Sequence, residues 1–119
     1  MIVWFDNLDL STRYRGGEIK VTRDDIKRFA AEFDPQPIHL DEADTEKSIF
    51  NGLAASGWHS AALAMRLIVS VRPFGSSPVV GLGGDDLRWL APVRRDAVLR
   101  VEGEVVELTP AVLDSLLDK

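Results

Sequence analysis

Apolar residues recur along this chain at two different periods, and the change from one to the other divides it. Ile26, Phe29, Ala30 and Phe33 stand at i, i+3, i+4 and i+7, the spacing of one face of an amphipathic helix. The stretch before them, "TRDD", has Thr22 as a capping residue and Asp25 three positions on, the pattern of a capping box. Upstream, "GGEIKVT" (16–22) reads as a turn and a short strand; downstream, Pro35 stops the helix. "DEADTEKSIF" is polar and reads as a short helical turn. From Trp58 onward the chain is apolar on nearly every face, with Ala61, Ala62 and Ala64 permitting close approach. That pattern predicts a buried helix over 58–69, with Ala61, Ala62, Met65 and Ile68 out of water. Ser56 and Gly57 stand where its start is expected.

Beyond the helix, "VRPFGSSPVVGLGG" is a loop with strand character in "PVVGL". The period then falls to two. "DDLRWLAPV" and "AVLRVEGEVVEL" are strand-like, joined by a turn at "PVRRDA". In the second, Leu99, Val101, Gly103 and Val105 share one face while Arg100, Glu102 and Glu104 share the other. Strand, helix, buried helix and strands in that order predict an α+β fold in which a sheet wraps one helix.

Composition narrows the classes. The chain has 119 residues, 45% of them hydrophobic, which suits one packed domain over 1–119 and argues against disorder. A net charge of −5 makes nucleic acid an unsuitable partner. There is no cysteine, so a disulfide framework and a thiolate metal site are both excluded. With two histidines, no metal site is expected. The N-terminus lacks the basic and apolar regions of a signal peptide, and Arg66 interrupts the longest apolar run far short of a membrane span. A cytoplasmic protein without membrane contact is expected.

The candidate chemistry lies in "EFDPQPIHLDE", 32–42. Pro35 and Pro37 stiffen the backbone between Asp34 and His39, and rigid placement is what general acid–base groups require. On the residues alone this pair divides between a helix-ending aspartate with a surface histidine and a catalytic couple. "GLGGDD" at Gly81 fails as a dinucleotide loop, because Asp86 occupies the last glycine position and a strand is expected after it. His59 is read as a core or interface histidine, and Arg72, Arg94 and Arg95 as solvated surface arginines rather than phosphate ligands.

"FDPQPIH" followed by "FNGLAASGW" resembles the MaoC-like dehydratases, the family of the (R)-specific enoyl-CoA hydratases; the likeness runs from about Trp4 to Leu108. It implies a hot-dog fold with an antiparallel sheet wrapped around one long helix, a homodimer or higher oligomer, and reversible hydration of an enoyl-CoA thioester without a cofactor. On that resemblance Asp34 falls on the catalytic aspartate, Pro37 on the signature proline and His39 on the catalytic histidine. Gly57 falls on the glycine whose backbone N–H is the oxyanion donor, and Gln36 and Ser56 are placed as substrate-binding. Gln36 stands where the signature has Asn, and Ser56 where a His usually precedes the glycine. Family members continue past "VVEL" into two further strands, whereas this chain runs "TPAVLDSLLDK". An incomplete sheet is therefore expected, its open side covered by a second copy or by Val112–Leu117. Two other functions are weighed. One is a non-catalytic subunit that binds acyl thioesters or serves assembly. The other is a hot-dog thioesterase, which ranks lower because Ser56–Ser70 holds no Asp or Glu.

Overall fold

The structure is a computed structural model that describes residues 10–42, 52–73, 75 and 83–106. Strand β1 (Arg13–Lys20) pairs antiparallel with strand β2 (Val98–Glu104), matching Tyr14 with Gly103 and Ile19 with Leu99. The register slips between Arg15 and Glu18, where the chain passes through Gly16 and Gly17. A Cβ on Gly16 would stand 2.5 Å from Val101 Cγ1, so the strand approaches its neighbour this closely only with glycine there. Alternation on β2 follows the expected period: Leu99, Val101 and, just beyond the strand, Val105 are half-buried while Arg100 and Glu102 face water. These two pair across the strands with Glu18 and Arg15 at 3.9 and 3.7 Å, contacts too exposed to contribute much stability.

Helix α1 (Arg23–Phe33) starts where the capping pattern places it. The Asp25 N–H donates to Thr22 Oγ1 at 3.2 Å, while the Asp25 carboxylate pairs with Arg28 at 2.5 Å. Ile26 and Ala30 are buried and Phe29 is half-buried. Phe33 is 70% exposed despite its period, because the last turn runs beyond the core; its ring rests on Phe29, centroids 5.1 Å apart. One turn of helix, α2 (Pro37–Leu40), follows, and then helix α3 (Gly57–Val71). The core is Val21, Ile26, Leu53 and Ala55, with Leu63, Val93 and Leu99 packed against it.

Two expectations need correction. The central helix forms, but its burial is one-sided: His59 and Leu67 are buried, Ala61 and Ile68 half-buried, and Ala62 and Met65 exposed. Among the described residues the elements packed on α3 are β1, β2 and α1, which cover one face. Residues 83–93 belong to neither helix nor strand. Their end docks on the 54–55 segment, through an isolated bridge between Ala54 and Arg94 and a bond from Ala55 N–H to Val93 O at 2.7 Å. Leu87 and Leu90 stay 58% and 91% exposed, so the alternating pattern there has no sheet to bury it among the described residues. Most of the expected turn at 41–50, the strand character at 78–82 and the Val112–Leu117 element lie outside the described residues. No helix among the described residues is long and apolar enough to cross a membrane.

Candidate active site

Three separate segments meet at one place. Helix α1 ends on Asp34, whose N–H still donates to Ala30 O at 2.9 Å. Pro35 forbids another helical turn, and Gln36 caps α2 with Pro37 as its first residue, where proline's fixed φ and missing N–H cost nothing. The two prolines thus end one helix and begin the next, and so set the separation of Asp34 from His39. The second segment, 53–57, lies against the first: Ala54 N–H donates to Ile38 O at 3.4 Å. The third is the 92–94 stretch, held by Ala55.

His39 is buried, and its two ring nitrogens face different partners. Nδ1 lies 2.7 Å from Ala54 O. A carbonyl only accepts, so Nδ1 carries a hydrogen. Nε2 is 3.1 Å from Asp34 Oδ2. A neutral ring would turn a lone pair on that carboxylate; the contact is favourable when one proton lies between the two groups. The other carboxylate oxygen, Oδ1, accepts from Gln36 Nε2 at 2.5 Å. The Gln36 amide foremost, then the Ser56 hydroxyl and His39, hold the Asp34 carboxyl below its ordinary range, against the opposing effect of partial burial. Ser56 Oγ is buried yet makes no hydrogen bond of good geometry among the described residues, so it acts on Asp34 as a nearby dipole.

Ser56 is the N-cap of α3 and Gly57 its first residue. Ser60 N–H closes the first turn on Ser56 O at 3.1 Å, which leaves the N–H groups before it, that of Gly57 included, without intrahelical acceptors. The helix dipole adds positive potential there. Asp34, His39, Ser56 and Gly57 all line one cavity of about 440 Å³ whose other walls are largely apolar, among them Ile38, Trp58, Leu90 and Pro92. Gln36 is not on its wall; the amide is spent on Asp34, and the extra methylene relative to Asn still lets it reach.

Two contributors escape a reading of the sequence. Ala54 offers only a backbone carbonyl to His39, and no residue type announces that. Trp89 donates its indole N–H to Gly57 O at 2.8 Å from 32 positions away, within a stretch patterned as a strand.

A family model described as a MaoC like domain matches residues 10–112. The chain belongs to the MaoC-like domain family. It is 33% identical over 105 residues to the uncharacterized Bacillus subtilis protein YdeM, covering 88% of this chain and 74% of YdeM. Among solved structures it resembles the MaoC-like dehydratase of Rhodospirillum rubrum at 44% identity and a TM-score of 0.79, over 86% of this chain and 69% of that one. It also resembles the R-hydratase PhaJ1 of Pseudomonas aeruginosa at 29% identity and a TM-score of 0.73, over 92% and 68%. The antiparallel pair packed on a long helix is accordingly part of an α+β hot-dog fold, as the resemblance implied.

Proposed function

We infer that this MaoC-like protein catalyses the reversible addition of water to a trans-2-enoyl thioester carried on coenzyme A, giving the (R)-3-hydroxyacyl thioester. The observation that carries the reading is the Asp34–His39 pair at 3.1 Å on the wall of a mainly apolar cavity that is also lined by Gly57, the first residue of a helix. The likeness to an R-hydratase supports it.

The chemistry divides among these groups. A water held by Asp34 and His39 loses one proton to the pair as its oxygen bonds to C3 of the enoyl group. The C2–C3 π electrons move toward the thioester, whose oxygen takes on negative charge. Gly57 N–H donates to that oxygen in a site where water is displaced by apolar walls, which strengthens the bond. The pair then returns one proton to C2, so one water is added and no charge is left over. Because His39 Nδ1 is committed to Ala54 O, the exchanging proton sits on the Asp34 side of the ring. The same reading makes the protein a cytoplasmic homodimer in fatty-acid metabolism.

The test is the loss of enoyl absorbance from crotonyl-CoA and longer trans-2-enoyl-CoAs, with Asp34→Asn as the inactive control. Hydration by the wild type that the variant lacks is the expected result. A wild type that binds enoyl-CoA without hydrating it would replace this reading with that of an acyl-thioester-binding subunit.

A further inference from the structure

Trp89 is joined to the helix start at Gly57 in two independent ways. Its indole N–H donates to Gly57 O at 2.8 Å. Its ring also takes the space where a side chain on residue 57 would go: a Cβ there would stand 2.8 Å from Cε2, 2.9 Å from Nε1 and 3.1 Å from Cδ2. Such distances are far inside contact, so glycine and indole fit as a pair. The Trp58 ring meets Trp89 edge to face, centroids 5.4 Å apart, and limits the swing of the indole. Trp89 has no helix or strand of its own to hold it, and it is 48% exposed although it lines the cavity. An aromatic side chain on an irregular segment, bonded to one backbone carbonyl and closed against one Cα, is placed to fix that residue's φ and ψ.

We propose that Trp89 is a positioning residue that clamps Gly57 and so aims the first N–H of α3 into the cavity. Glycine left unclamped at a helix start has wide conformational freedom, and its N–H would wander from the direction a developing oxyanion needs. The value of this clamp to turnover rests on the hydratase reading; the clamp itself does not.

Two measurements separate them. Thermal unfolding of Gly57→Ala, Trp89→Leu and the double variant forms a cycle that needs no activity. The added methyl should lower the midpoint clearly beside the indole and little when leucine replaces it. Equal losses in both backgrounds would overturn the clamp. Trp89→Phe keeps an aromatic ring and removes the N–H, which serves also should Trp89→Leu fail to fold. In 15N spectra the indole signal that Trp89→Phe deletes should move in Gly57→Ala, and an unmoved signal would again count against the clamp. In the hydratase assay Trp89→Phe should lower kcat by about tenfold with KM nearly unchanged, since a misaimed oxyanion donor costs transition-state rather than ground-state binding. An unchanged kcat would overturn the positioning role. A wild type without hydratase activity would overturn the function proposed above and leave the unfolding cycle to decide the clamp.

Discussion

His39 and His59 are equally buried, each 6% exposed, yet they occupy opposite kinds of surroundings. His39 stands where α2 meets the 53–57 segment, with one nitrogen on a carbonyl and the other on a carboxylate. His59 lies on α3 with its ring stacked flat on Phe29, 4.8 Å between centroids and 8° between planes. Its Nδ1 has no hydrogen-bond partner among the described residues, and burial lowers its pKa. The charges that act on it, Asp25 and Arg28 on α1, pull in opposite directions and do not offset that burial. Depth alone therefore says nothing about role. A buried imidazole with one nitrogen fixed on a carbonyl presents the other to a single defined partner for proton exchange; one stacked on a phenyl ring serves as a flat, mostly apolar filler.

The strongest way to break this comparison is at the first site. Asp34→Asn keeps size and hydrogen bonding but removes the base, and should lower kcat by about a hundredfold or more. His39→Gln should do likewise, and the double variant should lose much less than the product of the two, because the groups act as one unit. Thermal midpoints should change little in Asp34→Asn. If stability fell while turnover per folded molecule held steady, the pair would be structural and His39 would stand no higher than His59.

A smaller effect tests the electrostatics of the same pair. Gln36→Leu removes the donor foremost in holding the Asp34 carboxyl down, so that pKa should rise toward the ordinary carboxylate value. An activity that needs ionised Asp34 should then fail at higher pH on the acid limb of kcat/KM, with little change at pH about 8, well above the carboxylate range. Stability follows the same sign. A depressed carboxyl pKa stabilises the fold above the unfolded value, and that contribution disappears as pH falls through the folded one. Gln36→Leu should therefore lose less stability than the wild type as pH falls below about 4. An acid limb that stays in place would mean that Gln36 does not govern Asp34.

How much of this was legible in the chain depends on the range of each contact. The nearness of Asp34 to His39 was within reach because only four residues, two of them prolines, separate them, although those residues alone left the role of the pair open. The start of α1 was readable for the same reason, since Thr22 and Asp25 are neighbours on the first turn. Trp89 was not, because its partner Gly57 is brought to it only when the 92–94 stretch docks on 54–55. Patterning misled in a different manner. On α3 the apolar character of nearly every face predicts burial, but it carries no information on whether another element covers the face of Ala62 and Met65. The alternation in "DDLRWLAPV" failed for the matching reason, as a strand exists only with a partner.

The smallest expected effect belongs to the second histidine and concerns stability rather than rate. His59→Phe keeps a flat ring against Phe29 and removes a buried nitrogen that has no partner among the described residues. A cavity of about 220 Å³ beside it, lined also by Leu63, Lys20, Glu32 and Arg66, leaves room for the larger ring. Stability at pH 8 should stay level or rise by about 1 kcal/mol, the scale of an unsatisfied buried group, and turnover should not change. The pH dependence carries the sharper distinction. Burial lowers the folded pKa of His59, so the unfolded chain takes up this proton first as pH falls. The stabilising contribution of the neutral ring is complete above the unfolded value of about 6.5 and is lost as pH drops below it. Unfolding midpoints of the wild type should thus decline relative to His59→Phe between about pH 7 and pH 5, across that unfolded value. Parallel curves would show that His59 titrates alike in both states, and the contrast with His39 would then have to rest on partners alone.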